Sequence, residues 1–205
     1  MKLSAQAQRL RVAQHLHATA ESAERAVEAC SGDIVRAADL ITRSFRRGGK
    51  VLLCGNGGSA ADCQHMAAEF VGRLTKDLDR PGLPAIALTT DTSLLTAYAN
   101  DVGFDGVFER QVRALGRRGD VLVAISTSGE SANLLRAAVA ARERGLSVFT
   151  LTGAKGKLRK RATVAVAVPA TDTQHIQELH IAIEHIICGL VEQGLFGTAK
   201  RTGKR

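Results

Sequence analysis

Residues 51–69 read VLLCGNGGSAADCQHMAAE, and the fold class follows from how this stretch changes character along its length. An apolar, β-favouring run ends abruptly in Gly55-Asn56-Gly57-Gly58-Ser59, and an alanine-rich pattern of helical spacing starts at once. Strand, glycine turn and helix N-terminus in succession suit an anion, because exposed backbone N–H groups and the helix dipole both favour negative charge there. His65 and Glu69 fall at i, i+4 on one face of that helix. An imidazole and a carboxylate so placed can do proton or metal chemistry beside the anion.

The alternation continues outward from this stretch. Buried-type strand runs appear at 51–54, 85–88, 121–126, 148–151 and 164–168. Helical patterns separate or follow them at 60–73, 93–99, 107–115, 132–143 and 173–193. Continuous apolar strands alternating with helices predict an α/β fold with a parallel sheet covered on both faces. Ahead of the first strand, Val12, Leu16, Ala20, Ala23 and Val27 recur at helical spacing. Ser31-Gly32-Asp33 is expected to break that helix and recap a second one ending near Phe45, before Gly48-Gly49. The expected organisation is a helical extension over 1–49 with an apolar face to pack on another subunit, an α/β domain over 50–196, and a basic disordered tail over 197–205. Segment 75–84 reads as a polar turn-rich loop and 153–161 as a basic one. Ligands of open α/β sheets sit at the carboxyl ends of strands, so the loops after the first, second, third and last strands are the ones to inspect.

Composition narrows the function classes. With no Trp, one Tyr and six Phe among 205 residues, the core must be built from small and branched aliphatics, and a base-stacking platform is excluded. The net charge of +8 divides between the tail and helix faces carrying Arg43, Arg46, Arg47, Arg142 and Arg144, with no nucleic-acid-binding motif. No specific nucleic-acid partner is expected. No run is expected to reach the length of a membrane span, and MKLSAQAQRL lacks a signal-peptide apolar stretch, so the expectation is a cytoplasmic protein without a membrane partner. Cys30, Cys54, Cys63 and Cys188 show no metal or redox spacing and are expected to be reduced, with Cys54 and Cys188 packed as small apolar residues.

Four segments carry candidate chemistry. Gly55-Asn56-Gly57-Gly58-Ser59 is neither the spaced dinucleotide fingerprint nor a P-loop, which disfavours NAD and ATP. Its glycines permit close backbone approach, while Asn56 and Ser59 supply hydrogen bonds. Ser126, Thr127, Ser128 and Ser131 precede a helix, and one cap needs only one hydroxyl. The surplus, without Lys or Arg in the loop, matches a phosphate held by hydroxyls and backbone amides. His65 and Glu69 read equally as a surface ion pair or a reactive pair; Asp91, Asn100 and Asp101 at the same sheet edge raise the second reading. In the last helix His175, His180 and His185 stand among aliphatics, and with His65, Glu69 and Gln177 they could complete a site for zinc or another borderline metal.

At these residues the chain becomes recognisable. GNGGSAADCQHMAAEF, ANDVGF, GDVLVAISTSGESANLL and IQELHIAIEH resemble the sedoheptulose 7-phosphate isomerases (phosphoheptose isomerases) of the sugar-isomerase, or SIS, domain family, over about residues 8–196. The resemblance implies a three-layer α/β/α sandwich around a five-stranded parallel sheet, with N-terminal helices used in a homotetramer. It implies that Asn56, Gly57, Gly58, Ser59, Asn100, Asp101, Ser126, Thr127, Ser128, Ser131 and Gln177 contact the phosphosugar. It also implies one zinc ion per subunit on His65, Glu69, Gln177 and His185, with Glu69 and His185 as the acid–base pair. His175 departs from the Arg that relatives commonly carry before the Ile-Gln pair.

The activity so implied is conversion of sedoheptulose 7-phosphate to D-glycero-D-manno-heptose 7-phosphate through an enediol, feeding nucleotide-heptose synthesis. The alternative is a non-enzymatic SIS-domain tetramer that binds the DNA replication initiator protein; that relative lacks the histidine matching His185. On a regular helix Gln177 and His185 stand about 12 Å apart along the axis and about 80° apart around it. Ligand bonds near 2 Å let both reach one metal only with difficulty. The expectation is that a neighbouring subunit supplies one of them, or that the helix is distorted.

Overall fold

The computed structural model describes residues 3–197; the expected basic tail therefore lies almost wholly outside the described residues. Helix α1 (Ala5–Arg46) comes first, capped by Ser4, whose hydroxyl accepts from the Ala7 N–H at 3.2 Å. Then follow β1 (Val51–Gly55), α2 (Gly58–Val71), β2 (Ala85–Ala87), α3 (Thr92–Asp101) and α4 (Val107–Leu115). Next come β3 (Val121–Ser126), α5 (Ala132–Glu143), β4 (Ser147–Gly153), β5 (Val164–Val168) and α6 (Thr173–Phe196). The five strands form one parallel sheet in the order β2-β1-β3-β4-β5.

Alternate strand residues feed two cores, one on each face of the sheet. Val51, Leu53, Val123, Ile125, Phe149 and Val166 pack under α1, α2 and α6. Leu52, Cys54, Leu122, Ala124 and Val148 pack under α4 and α5, with Leu95 and Tyr98 of α3 alongside. This is the expected three-layer α/β/α sandwich. All four cysteines are free and buried, so Cys63 offers no accessible thiol.

Two expectations fail. The extension is one unbroken helix, not two. Ser31 does not recap the chain: its hydroxyl donates back to the Val27 carbonyl four residues earlier, and Gly32 stays helical. An internal glycine costs a helix about 1 kcal/mol. Burial of Cys30, Ile34, Ala37, Ala38 and Ile41 against the sheet core outweighs that cost. The apolar stripe read from the sequence is not covered within the chain, since Val12, Leu16 and Val27 are 59%, 63% and 65% exposed. The second failure is α6, which has the length and composition of a membrane span, with a mean hydropathy of 1.3 over its most apolar window. Its Ile176, Leu179, Ile183, Ile187 and Val191 belong to the core with α1, α2 and the sheet, and its apolarity is that of a central packed helix.

Candidate active site

In this strand order the chain reverses direction across the sheet between β1 and β3, so the loops leaving those two strands diverge and open a crevice at their carboxyl ends. The two candidate loops are the ones that flank it. A reciprocal amide pair joins them: Asn56 Nδ2 donates to Asn133 Oδ1 at 3.0 Å, and Asn133 Nδ2 donates to Asn56 Oδ1 at 2.9 Å. Asn56 thus ties the β1 loop to the start of α5. Gly57, with φ +56°, makes the left-handed turn that starts α2. Gly58 leaves room for Gln177, whose amide nitrogen would lie 2.5 Å from any added Cβ. Ser59 is buried just behind this turn.

The loop after β3 divides its hydroxyls between structure and solvent. Ser126 Oγ accepts from the Gly129 N–H at 3.0 Å, and Ser128 Oγ accepts from the Glu130 N–H at 3.2 Å. Ser131 holds the N-cap position of α5, yet its side chain makes no capping bond. A helix cap therefore does not account for the hydroxyls. Thr127 and Ser128 line a cavity of about 250 Å³ together with Lys155 and Thr171. Lys155, from the loop after β4, is the basic residue in that lining. A larger cavity, about 500 Å³, lies beside Leu74, Gly189, Glu192 and Phe196 and is lined by none of these groups.

On the other side of the β1 loop, His65 and Glu69 meet His185. The two Nε2 atoms face each other at 2.7 Å, and His65 Nε2 lies 3.8 Å from Glu69 Oε1. Donor atoms of the three residues all lie within 4.8 Å of one another. Glu69 Oε2 is buried without a hydrogen-bond partner. Two converging imidazole nitrogens and a carboxylate with an unsatisfied oxygen are a donor set that fits zinc.

Helix geometry explains why only one of the three late histidines joins them. A five-residue step turns about 140°, so His175, His180 and His185 point to three different faces. His180 is fully buried, and burial lowers its pKa to about 4. His175 turns to α1, where His15 Nε2 lies 2.6 Å from Glu178 Oε1 and His175 Nδ1 lies 3.1 Å from Glu178 Oε2. Hydrogen bonds from Thr19 and His15 hold the Glu178 carboxyl down at about 2. Gln177 stands against Gly58, the first residue of α2, seven residues before His65 and eleven before Glu69. Helix α6 runs unbroken past both Gln177 and His185.

Asn100 and Asp101 are not gathered with the rest. They lie exposed in the last turn of α3, where Asn100 Nδ2 donates to Asp101 Oδ1 at 2.8 Å. Asp91 caps α3, accepting from the Leu94 N–H at 2.9 Å, which is a structural role. Four residues near the site escaped the sequence reading: Asn133, Lys155, Asp62 and Glu184. Asn133 carries no local pattern that marks it, Lys155 was visible only as part of the basic loop 153–161, and Asp62 and Glu184 only as neighbours of the histidines.

Glu184 is fully buried with both oxygens unpartnered, and burial, then the nearby Asp62, pushes its pKa up to about 9. Asp62 is itself raised to about 6 by burial, against the pull of His65. The folded chain keeps a proton on Glu184 that the unfolded chain releases above the ordinary value of 4.5, so stability falls as pH climbs from there toward 9. Glu184→Gln should remove that loss. The expected gain is about 4 kcal/mol at pH 8 and under about 1 kcal/mol at pH 5, read as melting curves at the two pH values. An equal gain at both would show that Glu184 is ionised inside the fold.

Comparison with known proteins gives the chain's family. The family model described as SIS domain matches residues 14–153. The chain is 58% identical over 167 residues to the phosphoheptose isomerase of Rhodospirillum rubrum, covering 81% of this chain and 88% of that one. It is 50% identical over 186 residues to the phosphoheptose isomerase of Roseiflexus sp., covering 90% and 93%. Among solved structures, phosphoheptose isomerase from Neisseria gonorrhoeae superposes with a TM-score of 0.85 at 46% identity, covering 91% of this chain and 99% of that one. The chain belongs to the SIS domain family and, within it, to the phosphoheptose isomerases.

Proposed function

We propose that the chain converts sedoheptulose 7-phosphate to D-glycero-D-manno-heptose 7-phosphate in nucleotide-heptose synthesis, using His65, Glu69 and His185 where α2 meets α6. The convergence of those three side chains, from two helices, carries the reading. In the forward reaction a base takes a proton from C1 of the ketose, an enediol forms, and a proton returns to C2. Glu69 is suited to the carbon transfers because Oε1 faces His65 while Oε2 remains unpartnered. His185 moves the hydroxyl proton from O1 to O2. The hydroxyls of Thr127, Ser128 and Ser131, the α5 N-terminus and Lys155 hold the phosphate and keep the carbon chain in register. Asn56, Gly57, Gly58 and Ser59 border the sugar end. A zinc ion on His65, Glu69 and His185, with Gln177 as fourth ligand, supplies Lewis acidity toward the substrate carbonyl when bound.

Gln177 and His185 occupy separate stretches of one regular helix, which favours a fourth ligand borrowed from a second copy of the chain. The same assembly would cover the exposed stripe of α1 and bring in Asn100 and Asp101, so we assign a homotetramer with sites at subunit interfaces. The cytoplasm suits a protein whose four cysteines are free. The alternative, an initiator-binding tetramer without catalysis, is disfavoured because His185 stands with His65 and Glu69.

Purified protein incubated with sedoheptulose 7-phosphate should form the aldose, followed by NMR. Turnover should cease with a strong chelator and return when zinc is added. No turnover after zinc addition, together with tight binding to the initiator protein, would overturn the assignment.

A further inference from the structure

The contacts between α1 and α6 include a second constellation of metal-type donors, which shares no residue with His65, Glu69 and His185. His15 and Thr19 are one turn apart on α1, and His175 and Glu178 are one turn apart on α6. Donor atoms of His15, His175 and Glu178 all lie within 4.8 Å of one another. The two imidazole rings sit 4.4 Å apart between centroids, tilted by 42°. Thr19 Oγ1 donates to Glu178 Oε2 at 2.6 Å and lies 3.0 Å from His175 Nδ1.

We propose that His15, His175 and Glu178, supported by Thr19, form a second divalent-metal site, for zinc or a neighbouring borderline ion, which clamps α1 to the N-terminal turns of α6. Bonds of 2.0–2.1 Å at tetrahedral angles place donor atoms about 3.3 Å apart. The present separations of 2.6 Å from His15 to Glu178 and 3.1 Å from His175 to Glu178 approach that value, so ligation asks for side-chain adjustment only. Two imidazoles and one carboxylate select zinc, cobalt or nickel over magnesium and calcium, which prefer all-oxygen shells. Thr19 is the outer hydrogen bond that orients the carboxylate.

Entry and an open coordination position are also present. The His15 and Glu178 side chains are 37% and 38% exposed. A cavity of about 280 Å³, lined by Ser22, Arg25, Asp172 and His175, adjoins the cluster and leaves room for water as a fourth ligand. A metal here acts one residue from Gln177, so it would steady the helix turn that carries a candidate ligand of the first site. The second site itself does not depend on the isomerase reading.

The test is a Co2+ titration of chelator-stripped protein, read by visible absorption and by bound metal after dialysis. Unaltered protein should bind two ions per chain, and a His15→Ala/His175→Ala variant should bind one. A His65→Ala/His185→Ala variant should retain one ion and melt at a higher temperature with Co2+ than without. Thr19→Val, which spares every ligand, should weaken that remaining site by about 10-fold or more. One ion per chain in the unaltered protein, lost in His65→Ala/His185→Ala, overturns the proposal. Two ions retained in His15→Ala/His175→Ala overturn it as well. If that double variant fails to fold, His15→Ala alone, at its part-exposed position, gives the same reading. One ion in the unaltered protein that is lost only with His15 and His175 would support this site and count against the first.

Discussion

Glu69→Gln should lower turnover of sedoheptulose 7-phosphate by about 10²–10⁴-fold, the range expected when a general base is removed. The substitution keeps the shape of the side chain and a carbonyl oxygen able to face His65, so zinc should still bind. It removes the carboxylate that takes and returns the carbon-bound proton. The fold should be unaffected, because Glu69 Oε2 makes no hydrogen bond whose loss would be felt. The measurement is kcat against the melting temperature and bound metal of the same preparation. A fall in kcat with metal and melting unchanged assigns Glu69 to proton transfer. Full loss of metal would make it chiefly a ligand, and retained turnover would remove it from the acid–base role.

The residues this prediction uses are legible in the sequence because each belongs to a periodic element. His65 and Glu69 share a face by helix geometry alone, and the glycines before them announce the turn. The strand runs were readable for the same reason: a parallel sheet buried on both faces leaves unbroken apolar segments such as 121–126. What the periodicity could not supply was the choice among histidines. His180 and His185 stand in equally aliphatic surroundings in the sequence, and only the packing of α6 sends one into the core and the other toward His65. Gly32 misled for a related reason. Its local cost is real, but the decision belongs to the residues around it, whose burial on the sheet is a tertiary fact.

The loop 75–84 is the clearest case of function hidden by local appearance. Asp79-Arg80-Pro81-Gly82 reads as solvated turn, yet the Arg80 side chain is 1% exposed and pairs with Glu192, itself 6% exposed, at 2.6 Å. Its guanidinium also donates to the Phe70 carbonyl at 2.8 Å and the Glu69 carbonyl at 2.7 Å. Those are carbonyls of the last turn of α2, which have no acceptor role left within the helix and favour a cation. One buried arginine therefore joins the end of the helix that carries Glu69 to the C-terminal half of α6.

Arg80→Ala should cost about 3–5 kcal/mol of stability, the range for removing one partner of a buried ion pair. The Glu192 carboxylate would stay behind in the core, with only the Leu74 N–H at 3.2 Å to satisfy it. Arg80→Lys should recover little, because an ammonium cannot reach Glu192 and two helix carbonyls with one planar fork. Pairing Arg80→Ala with Glu192→Ala separates this account from a simple loss of packing. If the buried charge is what destabilises, the double variant should be more stable than the sum of the single losses by about 2 kcal/mol or more. Denaturant unfolding of the four proteins measures that difference, and losses that simply add would leave Arg80 as a packing residue. A fall in kcat for Arg80→Lys larger than its stability loss explains, with KM unchanged, would show that the same arginine positions Glu69.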